Sequence, residues 1–125
     1  MGKTFVSILI TLGIILGASA FELIYVNNTF DVFRQSLLSL YHKTEEDAAT
    51  HVDGVAIREF WESRKKILHL FLPHTPLQEV DYHLNEALGY LYENNFEDTL
   101  PKIELLLDLS ENIPHSNALL PENIF

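Results

Sequence analysis

Histidine is the side chain of this sequence best suited to metal binding or acid–base chemistry, and the chain has six of them. They lie at His42, His51, His69, His74, His83 and His115. A zinc protease would carry two histidines around a glutamate on one helix, a pattern that this sequence lacks. Glu79 and His83 are four residues apart and share a helix face, so they could contribute to a metal site. We favour the alternative, an exposed structural pair, and expect no metal.

His69 and His74 are a second pair to consider, but their spacing of five residues does not place them on one helix face. His74 comes directly before Thr75, a residue type suited to begin a helix. We therefore expect His74 to occupy a helix junction and to hydrogen-bond the backbone rather than to bind a metal.

The other side chains that could support catalysis lack the surroundings that catalysis needs. The serines have no glycine elbow and no histidine–aspartate pattern beside them, and no glycine-rich phosphate loop is present. The acidic runs Glu45-Glu46-Asp47 and Glu97-Asp98 fall at predicted helix starts, where negative charge stabilises the helix dipole. The sequence therefore predicts no catalytic residue, no cofactor and no small-molecule substrate, and we expect that the protein is not an enzyme.

Negative charge is concentrated in the second half of the chain. The formal net charge is −10, and from His74 onward Lys102 is the only lysine or arginine. Nucleic acid is excluded as a partner because phosphate binding needs basic residues. The acidic surface could bind a basic partner or divalent cations, although we favour a solvated face that keeps the domain soluble. The basic cluster at Arg58 and residues 64–66 could touch lipid headgroups, but we favour a contact with the acidic third helix.

The elements that position these residues begin with an apolar N-terminal segment. From residue 4 to residue 26 the only charged side chain is Glu22, and about 20 apolar residues in a helix cross a bilayer. Lys3 and Ala18-Ser19-Ala20 also fit a signal peptide that is cleaved after Ala20. We favour the uncleaved anchor because the apolar run continues beyond that cleavage site. The membrane is thus the expected partner of residues 4–26.

Charge around this segment predicts its orientation. Lys3 precedes the segment, whereas Glu22 and a mixed-charge domain lie at its other end. Positive flanks stay in the cytoplasm, so we expect a single-pass membrane protein with a cytoplasmic N-terminus and residues 27–125 outside. Cleavage after Ala20 would instead give a secreted protein. The chain has no cysteine, so its fold depends on packing without disulfides, which favours a bacterial source.

Residues 27–125 are enough for one modest domain, and their apolar residues recur at helical spacing. Four stripes are visible: Leu23 to Tyr41, Ile57 to Phe71, Leu77 to Leu91 and Phe96 to Ile113. Short connections between the last three predict antiparallel neighbours. The expected fold is all-α, with an N-terminal transmembrane or signal helix followed by a small antiparallel bundle of three to four helices. Asn27-Asn28-Thr29 leaves open whether the membrane helix ends there or continues as a stalk.

Capping residues predict where the later helices begin and end. Thr75-Pro76-Leu77-Gln78 matches a capping box that would start the third helix, with Pro76 at its first position. Asn94-Asn95 is expected to end that helix, and we favour Asn95 as the start of the fourth, with a kink at Pro101. A start at Asp98 or Thr99, which would place Pro101 in the first turn, is the alternative. Pro114 is expected to stop the fourth helix, and residues 117–125 to pack back on the bundle.

Trp61 is the residue that we expect to anchor the packing. It lies at one-turn spacings from Ile57, Arg64 and Leu68, which predicts a buried side chain that faces helices three and four. If it were instead exposed, it would be the best candidate for a partner contact. Trp61 and His74 are therefore the two residues that we single out as interaction or packing anchors.

The order of motifs from Trp61 onward carries a family resemblance. Trp61 is followed by Arg64-Lys65-Lys66, by Ile67-Leu68-His69-Leu70-Phe71 and, after two more helices, by Leu120-Pro121-Glu122-Asn123-Ile124-Phe125. With the N-terminal apolar segment, this resembles the domain-of-unknown-function 4363 family of small membrane-associated bacterial proteins over nearly the whole chain. Gly54 and Pro101 depart from the family's pattern. The resemblance implies a membrane-associated helical protein and transfers no catalytic or binding residue.

These observations favour a non-enzymatic, membrane-anchored helical module that presents a surface outside the cytoplasm to another protein or to the cell envelope. The alternative is an extracytoplasmic module that binds divalent cations or acts as a sensor through its acidic C-terminal helices.

Overall fold

The structure, a computed structural model, describes residues 2–116, and in that range it is all-α. Its helices are α1 (Gly2–Glu45), α2 (His51–Phe71), α3 (His74–Tyr92) and α4 (Phe96–Ser116). The predicted fold class, a long apolar N-terminal helix followed by a helical bundle, is confirmed. The predicted packing of residues 117–125 lies outside the described residues.

The helices form a closed antiparallel bundle in which each packs against two neighbours. Contacts join α1 to α2, α2 to α3, α3 to α4 and α4 to α1. Lys43 pairs with Asp53 where α1 ends and α2 begins, whereas Phe21 contacts Phe71 at the other end of α2. We call the end that holds the α2–α3 turn the anchor end. The end that holds the α1–α2 and α3–α4 connections is the far end.

Helix α1 continues without a break through Asn27-Asn28-Thr29, which settles the alternative left open by the sequence. It is 44 residues long, or about 66 Å at 1.5 Å per residue. Residues 2–21 are all exposed. After residue 21, the helix packs one face into the core of the bundle. The core residues of this face include Val26, Phe30, Phe33, Leu37 and Leu40. Leu23 was predicted to belong to this buried stripe but is 62% exposed, because its face of α1 is not covered by the bundle.

The other helices bury the faces that their spacing predicts. The core residues of α3 include Leu77, Val80, Leu84 and Leu91, and those of α4 include Ile103, Leu106 and Ile113. Gly54, which departs from the pattern of the family that the chain resembles, is buried against α3. A Cβ atom there would lie 3.0 Å from the Leu91 Cδ1 atom, so glycine lets the two helices approach closely.

Side-chain caps explain where α2 and α4 begin. The Asp53 N–H donates to the Thr50 hydroxyl and the Thr50 N–H donates to the Asp53 carboxylate, which makes a capping box for α2. Asn95 accepts from the Asp98 N–H at 3.2 Å, as predicted for the start of α4. Asn94 adopts a left-handed φ of 56° in the α3–α4 connection, a conformation that asparagine tolerates.

Three predicted boundaries were wrong. The run Glu45-Glu46-Asp47 was predicted at a helix start, but Glu45 is the last residue of α1 and the other two follow it in a turn. Helix α3 begins at His74 after Pro73, which makes no side-chain capping bond, so the predicted Thr75 capping box is not formed. Pro76 consequently lies at the third helical position, where the N–H that it lacks would have no partner within the helix. Pro114 does not stop α4, which runs to Ser116 because Ile113 and the core residues before it hold the helix on the bundle.

Candidate functional site

Trp61 lies at the centre of the bundle and is fully buried, as predicted. Its ring centroid is 5.1 Å from that of Phe33 and 5.8 Å from that of Phe30, both on α1. The indole N–H donates to the Asp81 Oδ1 atom on α3 at 2.6 Å. Trp61 therefore faces α1 and α3 rather than the predicted pair α3 and α4, because α4 is the diagonal neighbour of α2. It serves as a packing anchor, not as a surface for a partner.

Asp81 extends this contact into a polar network that the sequence did not reveal. Lys65 donates to the Asp81 carboxylate at 3.2 Å and also pairs with Glu62 at 3.0 Å. Partial burial lowers the pKa of Lys65, but its bonds to Glu62 and Asp81 outweigh that effect and raise the pKa above its usual value. Lys65 is thus protonated at neutral pH and cannot act as a nucleophile or a base. The network joins α2 to α3, which agrees with the predicted contact between the basic cluster and the third helix.

The weak metal candidates Glu79 and His83 have different surroundings. Glu79 is exposed, and the acidic partner of His83 is Glu86, whose carboxylate lies 3.2 Å from the His83 Nδ1 atom. Lys102 of α4 approaches the other oxygen of Glu86 at 3.2 Å. An ammonium group on the same carboxylate opposes the binding of a metal ion there. The arrangement joins α3 to α4 by charge pairing.

His69 and His74 lie together, although their spacing had excluded a shared helix face. They belong to different helices, and the short turn at Leu72 and Pro73 brings their Nδ1 atoms to 3.5 Å. The contact that His74 makes through its side chain is thus with an imidazole ring instead of the predicted backbone group. Two exposed histidines offer two ligands, fewer than zinc sites in proteins use. In residues 2–116 no group of three or more metal-binding side chains is gathered.

A polar cleft of about 360 Å³ lies between α1 and α4 at the anchor end. Its walls include Asn27, Arg34, Ser110 and His115. Arg34 pairs with Asp31 at 3.0 Å, and the Ser110 hydroxyl donates to the Leu107 carbonyl oxygen at 2.7 Å. Because the Ser110 hydroxyl is committed to the backbone and not to a base, the cleft holds no activated nucleophile.

The apolar half of α1, residues 2–21, is the largest part of the described chain that no other helix covers. Over this half the helix is long and apolar enough to cross a membrane or to be a signal sequence, and none of it is buried by the bundle. The Thr11 hydroxyl donates to the Ser7 carbonyl oxygen at 2.9 Å, so this polar group is satisfied within the helix. Internal hydrogen bonding of this kind is what a lipid environment requires.

Charge is distributed unequally between the two ends of the bundle. The acidic residues at the far end are Glu45, Glu46, Asp47, Asp53, Glu93, Glu97 and Asp98, of which Asp53 pairs with Lys43. Arg64, Lys65 and Lys66 lie towards the anchor end of α2. The Arg64 guanidinium is 5.4 Å from the centre of the Tyr25 ring, and Tyr25 in turn donates to the Arg64 carbonyl oxygen at 3.3 Å. These contacts fix the basic segment beside the point where α1 enters the bundle.

The antiparallel register of α2 and α3 explains why sequence reasoning missed Asp81 and His69 as partners. Once the turn is placed at Leu72 and Pro73, position 69 faces position 74 and position 61 faces position 81. The sequence signal for both contacts was Pro73 in the turn between α2 and α3. The sequence analysis instead placed the cap of α3 at Thr75, two residues later than the structure does. No protein-family model, curated protein or solved structure matches the chain.

Proposed function

We propose that this chain is a non-enzymatic, single-pass membrane protein whose helical bundle stands outside the cytoplasm and binds another protein. The N-terminus lies in the cytoplasm, and the apolar segment from residue 4 to about residue 23 remains in the membrane as an uncleaved anchor. The resemblance to the domain-of-unknown-function 4363 family, which stays a prediction, agrees with this location.

The continuity of α1 is the observation that carries the proposal. One helix supplies both the apolar segment and a core face of the bundle, with no linker between them. A bundle built on its own anchor is held at a constant height above the membrane, unlike a domain on a flexible tether. Such a design suits a protein that presents a defined surface to a partner in or near the same membrane.

The charged side chains of the bundle support a structural rather than a catalytic use. Asp53 caps α2, Lys65 joins α2 to α3, and Glu86 joins α3 to α4. An active site would need a nucleophile, a base and groups that stabilise developing charge within reach of one another. Asp53, Lys65 and Glu86 are instead committed to a cap and to helix–helix pairs.

Photo-crosslinking in native membranes tests the proposed interaction. A crosslinking amino acid is placed at Tyr82 or Tyr92, each 73% exposed on α3, in the full-length protein. We expect a discrete protein adduct from at least one of these positions, and its loss when the bundle is unfolded by Trp61→Ala. A crosslinker at Ile14, within the apolar half of α1, is the matched control and should react mainly with lipid. Absence of a discrete adduct from both bundle positions would contradict the interaction.

Two further measurements examine the rest of the proposal. Intact-mass spectrometry should show that the mature protein retains residues 5–20, and the protein should stay with membranes in high salt. A new terminus at Phe21 together with a soluble protein would establish the signal-peptide alternative. Calorimetric titration of the full-length protein with calcium, zinc and magnesium addresses the cation-binding alternative. Saturable micromolar binding that is lost on Glu79→Ala or His83→Ala would favour that alternative.

A further inference from the structure

The position of the α2–α3 turn relative to the apolar half of α1 points to a second contact with the membrane. About 20 helical residues cross the hydrocarbon core, so a span that begins at Thr4 ends near Leu23. Phe21 then lies roughly 3 Å inside the outer edge of that core, at 1.5 Å per residue. The ring of Phe71, the last residue of α2, is 6.0 Å from the ring of Phe21. The C-terminal end of α2 therefore reaches the lipid headgroups.

The side chains at this end of α2 suit that environment. Leu70, adjacent to Phe71, is 77% exposed, the highest value among the large apolar residues that the structure describes. Ile67 is also exposed, three residues before it. Lys66 lies one helical turn before Leu70, on the side away from the anchor, and is exposed. A leucine at the hydrocarbon edge with a lysine one turn further out matches the change from acyl chains to phosphates.

We propose that the α2–α3 turn of this protein docks on the outer surface of the bilayer, with Leu70 inserted among the headgroups and Lys66 paired with lipid phosphate. The inference rests on the proposed membrane anchor. It adds that the bundle is fixed to the membrane at two points, the span of α1 and this turn. Two attachment points prevent the bundle from rotating or tilting freely about α1.

The acidic groups near this surface are compatible with the contact. Glu62 is paired with Lys65, and Glu22 is half-buried on α1. Glu79 lies near the start of α3, two residues after the buried Leu77, and its side chain is exposed. The strongly acidic connections lie at the far end of the bundle, away from lipid phosphate. Lys66 therefore lies at the less acidic end of the bundle.

The absence of cysteine from the sequence allows a clean test, because a single introduced cysteine can be labelled alone. The full-length variants Leu70→Cys and Val52→Cys carry an environment-sensitive fluorophore and are reconstituted into phosphatidylcholine–phosphatidylglycerol vesicles. Val52 is the matched control: it is 74% exposed at the opposite end of the same helix. Ile14→Cys, in the apolar half of α1, reports separately on the anchor. Each variant is measured with a nitroxide quencher attached to lipid headgroups and with aqueous iodide.

We expect blue-shifted emission from position 70, with strong quenching by the lipid nitroxide and weak quenching by iodide. Position 52 should show the reverse. If position 14 is in lipid but position 70 behaves like position 52, the turn contact is wrong while the anchor stands. If position 14 is also in water, the anchor itself is wrong. A blue shift at position 70 without lipid quenching, abolished by deletion of residues 117–125, would assign the turn to the C-terminal segment and overturn the proposal.

Discussion

The first half of α1 and its second half form one uninterrupted helix in two different surroundings. Residues 2–21 expose apolar side chains around the whole circumference of the helix. From Val26 onward, α1 buries one face and exposes residues such as Asp31 and Gln35 on the other. A helix that is apolar all round suits a lipid solvent, whereas a one-sided stripe suits a protein neighbour. The comparison shows that the change of surroundings along α1 needs no break in the backbone.

Trp61→Ala should give the largest effect, confined to the bundle half. Loss of a buried tryptophan typically costs about 3–5 kcal/mol of unfolding free energy, out of about 5–15 kcal/mol for a domain. We expect a melting transition that is strongly lowered or lost by near-ultraviolet circular dichroism, while carbonate-resistant membrane association is unchanged. Tyr82→Ala, at an exposed position, should melt within about 0.5 kcal/mol of the wild type. Wild-type melting of Trp61→Ala would show that the packing described here is wrong.

Trp61→Phe refines this result because it keeps an aromatic ring beside Phe30 and Phe33 but removes the donor to Asp81. We expect an intermediate cost of about 1.5–3 kcal/mol, typical of losing a hydrogen bond to a charged group, while Lys65 stays paired with the Asp81 carboxylate. The sequence alone did not reveal this cost, because the indole bond to Asp81 joins two different helices.

Ile14→Lys should affect the other half of α1 and leave the bundle intact. A lysine at the centre of a membrane helix costs about 2.5–3.5 kcal/mol of insertion free energy. We expect a smaller fraction of the protein to resist carbonate extraction, with the melting temperature unchanged. Leu38→Lys is the matched control, because Leu38 is 41% exposed on the bundle half of the same helix. If both lysines reduced membrane integration equally, the division of α1 into two surroundings would fail.

Asp53→Asn should give the smallest effect, again limited to the bundle. The backbone hydrogen bond from Thr50 lowers the pKa of Asp53 most, with partial burial opposing it and Lys43 assisting. A lowered pKa stabilises the fold above the unfolded value of about 3.9 and ceases to do so as the pH falls through the folded value. Because the pair with Lys43 faces solvent, we expect a cost of at most about 1 kcal/mol at pH 7.

Urea titrations from pH 7 down to pH 3 measure this difference between Asp53→Asn and the wild type. It should shrink as the pH falls below about 4. Glu59→Gln, at an exposed position of α2, should show no comparable difference. A cost for Asp53→Asn that persisted unchanged at low pH would mean that the carboxylate charge does not contribute to the cap.

Most of the fold could be predicted because helical periodicity and capping are local properties of the chain. The stripe from Leu77 to Leu91 identified the buried face of α3, and Asn95 identified the start of α4. Boundaries near proline were less secure. Helix α3 begins directly after Pro73 and not after Thr75 as predicted. Pro114 lies within α4 because packing against the bundle holds that helix together.

The candidate sites depended on contacts between helices, which no spacing along one helix reveals. The pairing of His69 with His74 and the bond from Trp61 to Asp81 both follow from the position of the α2–α3 turn. Glu79 and His83 had the spacing of a pair, yet Glu86 is the partner of His83 because it lies between His83 and Lys102. The partner of His83 therefore depends on the charged groups around it in the bundle and not on spacing along α3 alone.

The sequence by itself determined the all-α class, the membrane-compatible N-terminal segment and the concentration of acidic residues, because composition and periodicity require no knowledge of neighbours. Only the tertiary structure decided that α1 is continuous, that Trp61 faces α1 and α3, and that Phe71 lies beside Phe21 near the end of the apolar segment. Each of these depends on which helices are adjacent and in what register. That choice is made by the joint packing of all four described helices around one core, which no single segment specifies.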